Sequence, residues 1–261
     1  MRTRSAIVWL LLSTGAASGQ QALFLCPESP RVAAEAPIRV HLESGTAAVA
    51  WDDARVRLLF VLGQDTRENM ERAPAGADAA GAVALAAPGQ GAAAVGLELK
   101  PAVEEMDAAA LRKFASAWCD GRVPESVKGK VKVRRVESCR TLVRIGEGGS
   151  AAALAETALR AEIDVRMDPT RMKAGSDLAF AVSMSGEDLE DARVFATCAA
   201  TGKTQEAESR EEGAGSFRIT DAGRWRVEFH HLAKAEPGGD ADWVLMSGTL
   251  TFEVPLAEVK P

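Results

Sequence analysis

The chain has no tyrosine and only three histidines, and aromatic residues make up 5% of its 261 residues. Stacking platforms for bases or sugars depend on aromatic faces, so this shortage argues against such a binding site. The net charge of −6 also argues against a nucleic-acid binder, because phosphate binding needs a basic surface. Few side chains remain that exchange protons near neutral pH, which disfavours general acid–base catalysis.

Catalytic and thiolate-metal motifs are missing as well. The sequence contains no G-x-S-x-G, no H-E-x-x-H and no phosphate-cradling G-x-x-x-x-G-K motif, so we predict that the protein is not an enzyme. Its four cysteines, Cys26, Cys119, Cys139 and Cys198, include no C-x-x-C pair, which disfavours a zinc site built on thiolates. An even number of cysteines in an exported protein permits two disulfides, and their pairing remains open.

No apolar run is long enough to cross a bilayer, which takes roughly 18 residues or more. The N-terminus instead has Arg2 and Arg4 before a short apolar run at residues 6–12, followed by small residues at 17–19. This arrangement is typical of a signal peptide. We expect a signal peptide over residues 1–19, cleavage near Gly19 and Gln20, and a periplasmic or secreted mature chain without a transmembrane helix.

Alternating apolar and polar residues dominate the mature chain. The segments "PIRVHLESG", "GRWRVEFHH" and "TLTFEVP" each repeat with the period of a half-buried strand, and turn residues separate them at short intervals. "MDAAALRKFASAW" differs, because Leu111, Phe114 and Trp118 recur at helical spacing after Asp107, a good N-cap residue. We therefore predict one helix, over residues 107–118.

The segment "GEGGSAAALAETA", which begins at Gly146, has the small and flexible composition of a linker. We predict an N-terminal β-rich domain over residues 20–146, a linker over 147–158 and a C-terminal β-sandwich domain over 159–257. The predicted fold class is mainly β, with two β-sandwich domains of immunoglobulin or transthyretin type, the first carrying one α-helix.

An alanine-rich segment, residues 73–96, admits two interpretations. Its composition resembles that of a flexible linker, whereas "AVALAAPGQGAAAVGLELK" also resembles two strands of small residues around a Pro-Gly turn. We favour the second interpretation and predict a hairpin.

Two of the three histidines stand side by side at the end of "GRWRVEFHH". A strand there places Trp225, Val227, Phe229 and His231 on the core face. His230 falls on the solvent face. Side chains of adjacent strand residues diverge, so the two imidazoles are not expected to bind one ion together.

His231 is the favoured metal ligand. It ends the apolar row and can meet Asp240 or Asp242 from the following loop, "EPGGDADW". An imidazole with carboxylates suits a divalent metal, here nickel, cobalt, zinc or copper. The alternative is a strand-end histidine that an aspartate merely orients. His230 and His41, expected on the surface, are outside candidates.

A basic row in "GKVKVRR" comprises Lys130, Lys132 and Arg134 on one strand face. Such a row can bind an anionic partner. We favour a solvated face or a charged edge that blocks strand-to-strand aggregation.

Three segments of the second half, "DPTRMKAGSDLAFAVSMSGEDLEDARV", "GSFRITDAGRWRVEFHHL" and "DWVLMSGTLTFEVP", resemble a bacterial periplasmic domain-of-unknown-function family known as a nickel-uptake (NikM-like) substrate-specific component. The resemblance implies paired sandwich-like domains and a link to nickel or cobalt import. Family members commonly begin the mature chain with a histidine, where this chain has Gln20 and Gln21. The family's histidine after the "G.W.v" strand has its counterpart in His230 or His231.

The leading functional prediction is an exported, non-enzymatic binding or accessory protein in periplasmic divalent-metal uptake, with membrane transporter components or other envelope proteins as partners. The alternative is a structural or cell-envelope interaction module that binds no small ligand.

Overall fold

The computed structural model describes residues 22–64, 77–78 and 81–256. The predicted signal peptide and part of the alanine-rich segment lie outside these residues. Strands make up 52% of the structure and helices 11%, which confirms the prediction of a mainly β, sandwich-type fold with few helices. No helix within the described ranges is long and apolar enough to span a membrane.

Among the described residues, nine strands and one α-helix precede residue 146. The strands are β1 (Leu23–Pro27), β2 (Arg31–Val32), β3 (Ile38–Ser44), β4 (Ala47–Val49), β5 (Val56–Leu62), β6 (Val83–Leu85), β7 (Gly91–Leu99), β8 (Ala102–Asp107) and β9 (Lys130–Ile145). Helix α1 (Ala108–Trp118) lies between β8 and β9. The side chain of Asp107 accepts hydrogen bonds from the backbone N–H groups of Ala109 and Ala110, so the predicted N-cap and helix are confirmed.

A short helix and eight strands follow. They are α2 (Ala151–Leu154), β10 (Ala161–Val165), β11 (Asp177–Met184), β12 (Glu187–Asp188), β13 (Arg193–Cys198), β14 (Thr204–Glu208), β15 (Ala214–Arg218), β16 (Gly223–Lys234) and β17 (Trp243–Val254). Three single turns of 3-10 helix lie at Asp53–Arg55, Pro169–Arg171 and Glu211–Gly213.

One large sheet runs through the molecule in the order β14-β13-β16-β17-β9-β7-β5. Its centre is the long strand β9, which pairs parallel with β17 and antiparallel with β7. The short strands β2 and β8 also pair with β9. Strands from both predicted domains therefore belong to the same sheet.

Smaller layers cover the two faces of this sheet. The first small sheet (β1, β3, β4 and β6) buries Leu25 and Val40 against Val95 and Val143. The second small sheet (β10, β11, β12 and β15) packs on the opposite face around a core that includes Phe180. Helix α1 lies on the same face as the first small sheet, and its apolar residues form a separate cluster with the start of β9.

The predicted linker, residues 147–158, contains α2, in which Ala152 and Ala153 are buried. The predicted boundary thus includes residues that contribute to the core. The division into two domains stays a prediction.

The alanine-rich segment does form two strands, but the prediction of a hairpin is wrong. β6 pairs with β3 in the first small sheet, whereas β7 pairs with β5 and β9 in the large sheet. All nine residues of β7 are buried, since Ala92 and Ala94 face one layer and Ala93 and Val95 face the other. The chain therefore crosses between sheets at the Pro-Gly turn, and small side chains let both layers approach β7.

Candidate functional site

Strand β16 carries the two adjacent histidines and is covered on both faces. Trp225, Val227 and Phe229 are buried in the main core, as the alternation predicted. His230 is also buried, with 2% of its surface exposed, so the expectation of a surface histidine is wrong. The reason is tertiary, because α1 packs over that face of β16.

His230 is fully engaged by its neighbours. Its Nδ1 lies 2.8 Å from Ser247 Oγ and its Nε2 lies 3.0 Å from Glu228 Oε2. Phe114 of α1 meets the imidazole edge-on, with 5.2 Å between ring centroids. Both ring nitrogens have protein partners, so His230 serves packing and hydrogen bonding rather than ligand binding.

The segment after α1 brings an unforeseen carboxylate to His231. Cys119 forms a β-bridge with His230 on the edge of β16 opposite β17. A Cβ atom on Gly121 would lie 1.9 Å from the carbonyl oxygen of Leu232, so only glycine allows this close approach. Asp120 lies between Cys119 and Gly121 in the sequence, so both contacts hold it beside His231.

His231 and Asp120 form a half-buried pair, with 23% and 13% of their side chains exposed. The distance from His231 Nδ1 to Asp120 Oδ2 is 2.7 Å. An ionised carboxylate can only accept, so Nδ1 carries a proton, and in the neutral imidazole Nε2 then has the lone pair. His231 Nε2 has no protein partner among the described residues, and neither does the buried Oδ1 of Asp120.

The two predicted carboxylate partners of His231 bind elsewhere. Asp240 forms an ion pair with Arg134. Asp242 Oδ2 accepts a hydrogen bond of 2.8 Å from the backbone N–H of Lys132, and its own N–H donates to the Lys132 carbonyl over 2.8 Å. The structure therefore joins His231 to Asp120 and ties both loop aspartates to β9.

His41 lies in another region, on β3. Its Nε2 is 2.7 Å from Glu43 Oε1, and Glu43 in turn forms an ion pair with Arg226 of β16. Burial, followed by the positive charge of Arg224, lowers the pKa of His41. This cluster joins the first small sheet to the large sheet and does not include the other histidines.

Across residues 22–64, 77–78 and 81–256, no group of three or more His, Cys, Asp or Glu side chains lies close enough to hold a metal ion. The four cysteines are buried and carry free thiols. Burial, followed by the negative charge of Asp120, raises the pKa of Cys119 to about 12, and the positive charge of Arg193 opposes the shift. Cys119 therefore remains a protonated thiol next to the pair.

Asp120 and Asp242 line two separate pockets. Asp120 lines a pocket of about 870 Å³ between the end of α1 and the β13–β14 edge, where Arg122 and Glu208 are exposed. Asp242 lines a different pocket, of about 630 Å³, beside Trp243. Asp120 and Asp242 therefore do not share a pocket.

The basic row on β9 has an acidic neighbour. In the antiparallel β8–β9 pair, Glu105 lies opposite Lys132 and Asp107 lies opposite Lys130. Arg134 is paired with Asp240. Cross-strand pairs of opposite charge stabilise a sheet, so the row belongs to a charge-matched face of the sheet.

Comparison with known proteins places the chain in a family. The model of the family described as "Domain of unknown function (DUF4198)" matches residues 22–233, and the protein belongs to that family. No curated protein matches the chain.

Solved structures match only weakly. One match is the crystal structure of the mouse coronavirus receptor-binding domain in complex with its murine receptor. The alignment covers 90% of this chain and 99% of the matched chain, at 9% identity and a TM-score of 0.22. The Bacillus anthracis TIE protein covers 94% of this chain and 40% of its own at 13% identity, also with a TM-score of 0.22. Scores this low support no inference about fold or function.

Proposed function

We propose that the protein is an exported, non-enzymatic binding protein of the periplasm that serves divalent-metal uptake, and that His231 binds the ion. Nickel and cobalt are the ions that the sequence resemblance suggests. The observation that carries the proposal is the contact between His231 Nδ1 and Asp120 Oδ2, at 2.7 Å.

The contact supports metal binding because it occupies Nδ1 of His231 and leaves Nε2 available to a ligand. A metal-binding histidine commonly donates its other ring N–H to a carboxylate, which fixes the tautomer and makes the free nitrogen more basic. Asp120 is placed to do this for His231, and Nε2 is the nitrogen that would bind the ion. The carboxylate also adds negative charge near the cation.

The test is calorimetric titration of the protein with nickel, cobalt, zinc and copper(II). His231→Ala should abolish binding, because it removes the ligand. Asp120→Asn should weaken binding by about 10–100-fold, the usual cost of losing an outer-sphere partner.

His41→Ala is the matched control, because His41 is also half-buried and also meets a carboxylate, at 2.7 Å. It should leave the affinity unchanged. Binding that survives in His231→Ala, or that is lost equally in His41→Ala, would overturn the proposal.

The second candidate is a cell-envelope interaction module that binds no small ligand. The observation that favours it is the open pocket beside Asp120, which presents exposed charges of both signs from Arg122, Glu125 and Glu208. Such a surface suits a charged protein partner. If no metal binds, charge reversal at Glu208 and Arg122 should weaken capture of envelope proteins, including transporter components, in a pull-down from the native membrane.

A further inference from the structure

Met246 has no evident packing role. It lies half-buried on β17 and does not appear among the residues that form or flank the described hydrophobic clusters. By contrast, Met106, Met172 and Met184 each pack within or against one of these clusters. Methionine usually fills gaps in a core, so a half-buried methionine outside these clusters is available for another role.

Met246 is the direct cross-strand neighbour of His231. The two residues are paired in the antiparallel β16–β17 register. Side chains paired in this way project from the same face of the sheet, with Cβ atoms about 4.5–5.5 Å apart. The imidazole and the thioether are therefore within reach of a shared ion.

The orientation of the imidazole strengthens this juxtaposition. Cys119 bridges β16 on one edge and β17 pairs with it on the other, so Asp120 and Met246 lie on opposite sides of His231. Asp120 engages Nδ1. Because the two ring nitrogens point in divergent directions, the contact between Nδ1 and Asp120 leaves Nε2 on the side of the ring away from Asp120.

We propose that His231 Nε2 and the Met246 sulfur together bind monovalent copper. The inference rests on the proposed function, because it uses the same histidine and adds a ligand to it. Thioether sulfur is a soft ligand that selects copper(I).

The surroundings suit a soft monovalent cation. Val136, which lies opposite Met246 on β9, is 4% exposed and forms an apolar floor. Arg134, the nearest cation along β9 on that face, is paired with Asp240. Asp120 adds a negative charge on the far side of the imidazole. Binding needs no redox step when the metal is supplied as copper(I).

The test is a competition titration of copper(I), under anaerobic conditions, against a chromophoric copper(I) chelator, beside the nickel and zinc titrations. Copper(I) should bind more tightly than either. Met246→Leu keeps the volume and apolar character of the side chain, so the fold should persist. Loss of an outer-sphere partner costs roughly tenfold in metal affinity, and loss of a direct ligand should cost at least as much. We therefore expect the variant to bind copper(I) at least roughly tenfold more weakly and to bind nickel and zinc with unchanged affinity.

Met167→Leu is the control, since Met167 is 39% exposed and lies on another segment. It should leave copper(I) affinity unchanged. Unaltered copper(I) affinity in Met246→Leu, or copper(I) binding no tighter than nickel, would overturn the copper inference and leave metal binding at His231 standing. If His231→Ala still bound every metal as the natural chain does, the proposed function would be overturned, and the copper inference with it.

Discussion

The two ends of β9 differ in what covers them. Residues 138–145 are all buried, because layers pack on both faces of the large sheet there. Residues 130–136 have α1 on one face, where Val131 and Val133 are buried, while Lys130 and Lys132 on the other face are exposed. We call these the enclosed end and the open end.

The enclosed end must satisfy its charges internally. Arg140 is 1% exposed, and its Nη1 donates to Glu162 at 2.9 Å and to Asp164 at 2.8 Å. Its Nη2 donates to the carbonyl oxygens of Ala153 and Ala155, at 3.0 and 2.8 Å. This one side chain ties the large sheet to the second small sheet and to the α2 region.

The open end carries the exposed charges of Lys130 and Lys132 and lies beside β16 and β17. His231 and Met246 are half-buried there, and Asp120 reaches the edge of β16. Side chains at such a place can be exchanged at little cost in stability, so a binding site fits better here than at the enclosed end.

The largest expected effect comes from Arg140→Ala. It leaves Glu162 and Asp164 buried without their cation, which should lower the free energy of unfolding by about 3–5 kcal/mol. The matched change at the open end, Arg134→Ala, breaks the exposed pair with Asp240 and should cost about 0–1 kcal/mol. Urea denaturation measures both, and equal losses would contradict the distinction between the two ends.

His230→Ala should cost more than His231→Ala, although the residues are adjacent. Removing the buried His230 imidazole leaves the buried Ser247 hydroxyl and the half-buried Glu228 carboxylate without that partner, and a buried polar group left unpaired costs about 1–3 kcal/mol. His231 is more exposed, so its loss should change stability less. Thermal unfolding of both variants tests this order, and a larger loss in His231→Ala would show that the two faces were wrongly assigned.

Much of the fold follows from local pattern. The alternation in β16 predicted the burial of Trp225, Val227 and Phe229, and the helical spacing after Asp107 predicted α1. These features depend on residues close in sequence, whose periodicity reflects the geometry of the element itself.

The site could not be predicted in the same way. The contact between His231 and Asp120 joins residues 111 positions apart, and it depends on the path of the chain after α1. Periodicity tells which residues share a face but not what covers that face, so His230 was expected in solvent. Met246 gave no local signal, because its proposed role depends on its register opposite His231.

Gly96→Ala probes the packing of the enclosed end. A Cβ atom on Gly96 would lie 2.1 Å from Phe60 Cζ, so the ring must move within a closed core. We expect a loss of about 1–3 kcal/mol in the free energy of unfolding. Gly239→Ala, in the loop beside the open end, meets its nearest atom, Glu236 O, at 3.3 Å and should cost less. Chemical denaturation compares them, and an equal or larger loss at Gly239 would contradict the assignment.

The last effect depends on pH and concerns Glu162. Burial raises the pKa of Glu162 to about 7 from an ordinary value of 4.5, with Arg140 opposing the shift and Asp164 adding to it. The folded chain therefore holds this proton more tightly than the unfolded chain. The resulting stability is fully present below pH 4.5 and is lost as the pH rises through about 7.

Glu162→Gln removes this dependence, because the amide stays neutral at every pH. The stability of the variant relative to the natural chain should be greatest near about pH 8 and should fall by at least about 1 kcal/mol toward about pH 5, since one unit of pKa shift corresponds to about 1.4 kcal/mol. Urea midpoints of both proteins across this range measure the difference. A difference that stays constant with pH would mean that Arg140 keeps Glu162 ionised throughout, and that the enclosed end balances its charges without taking up a proton.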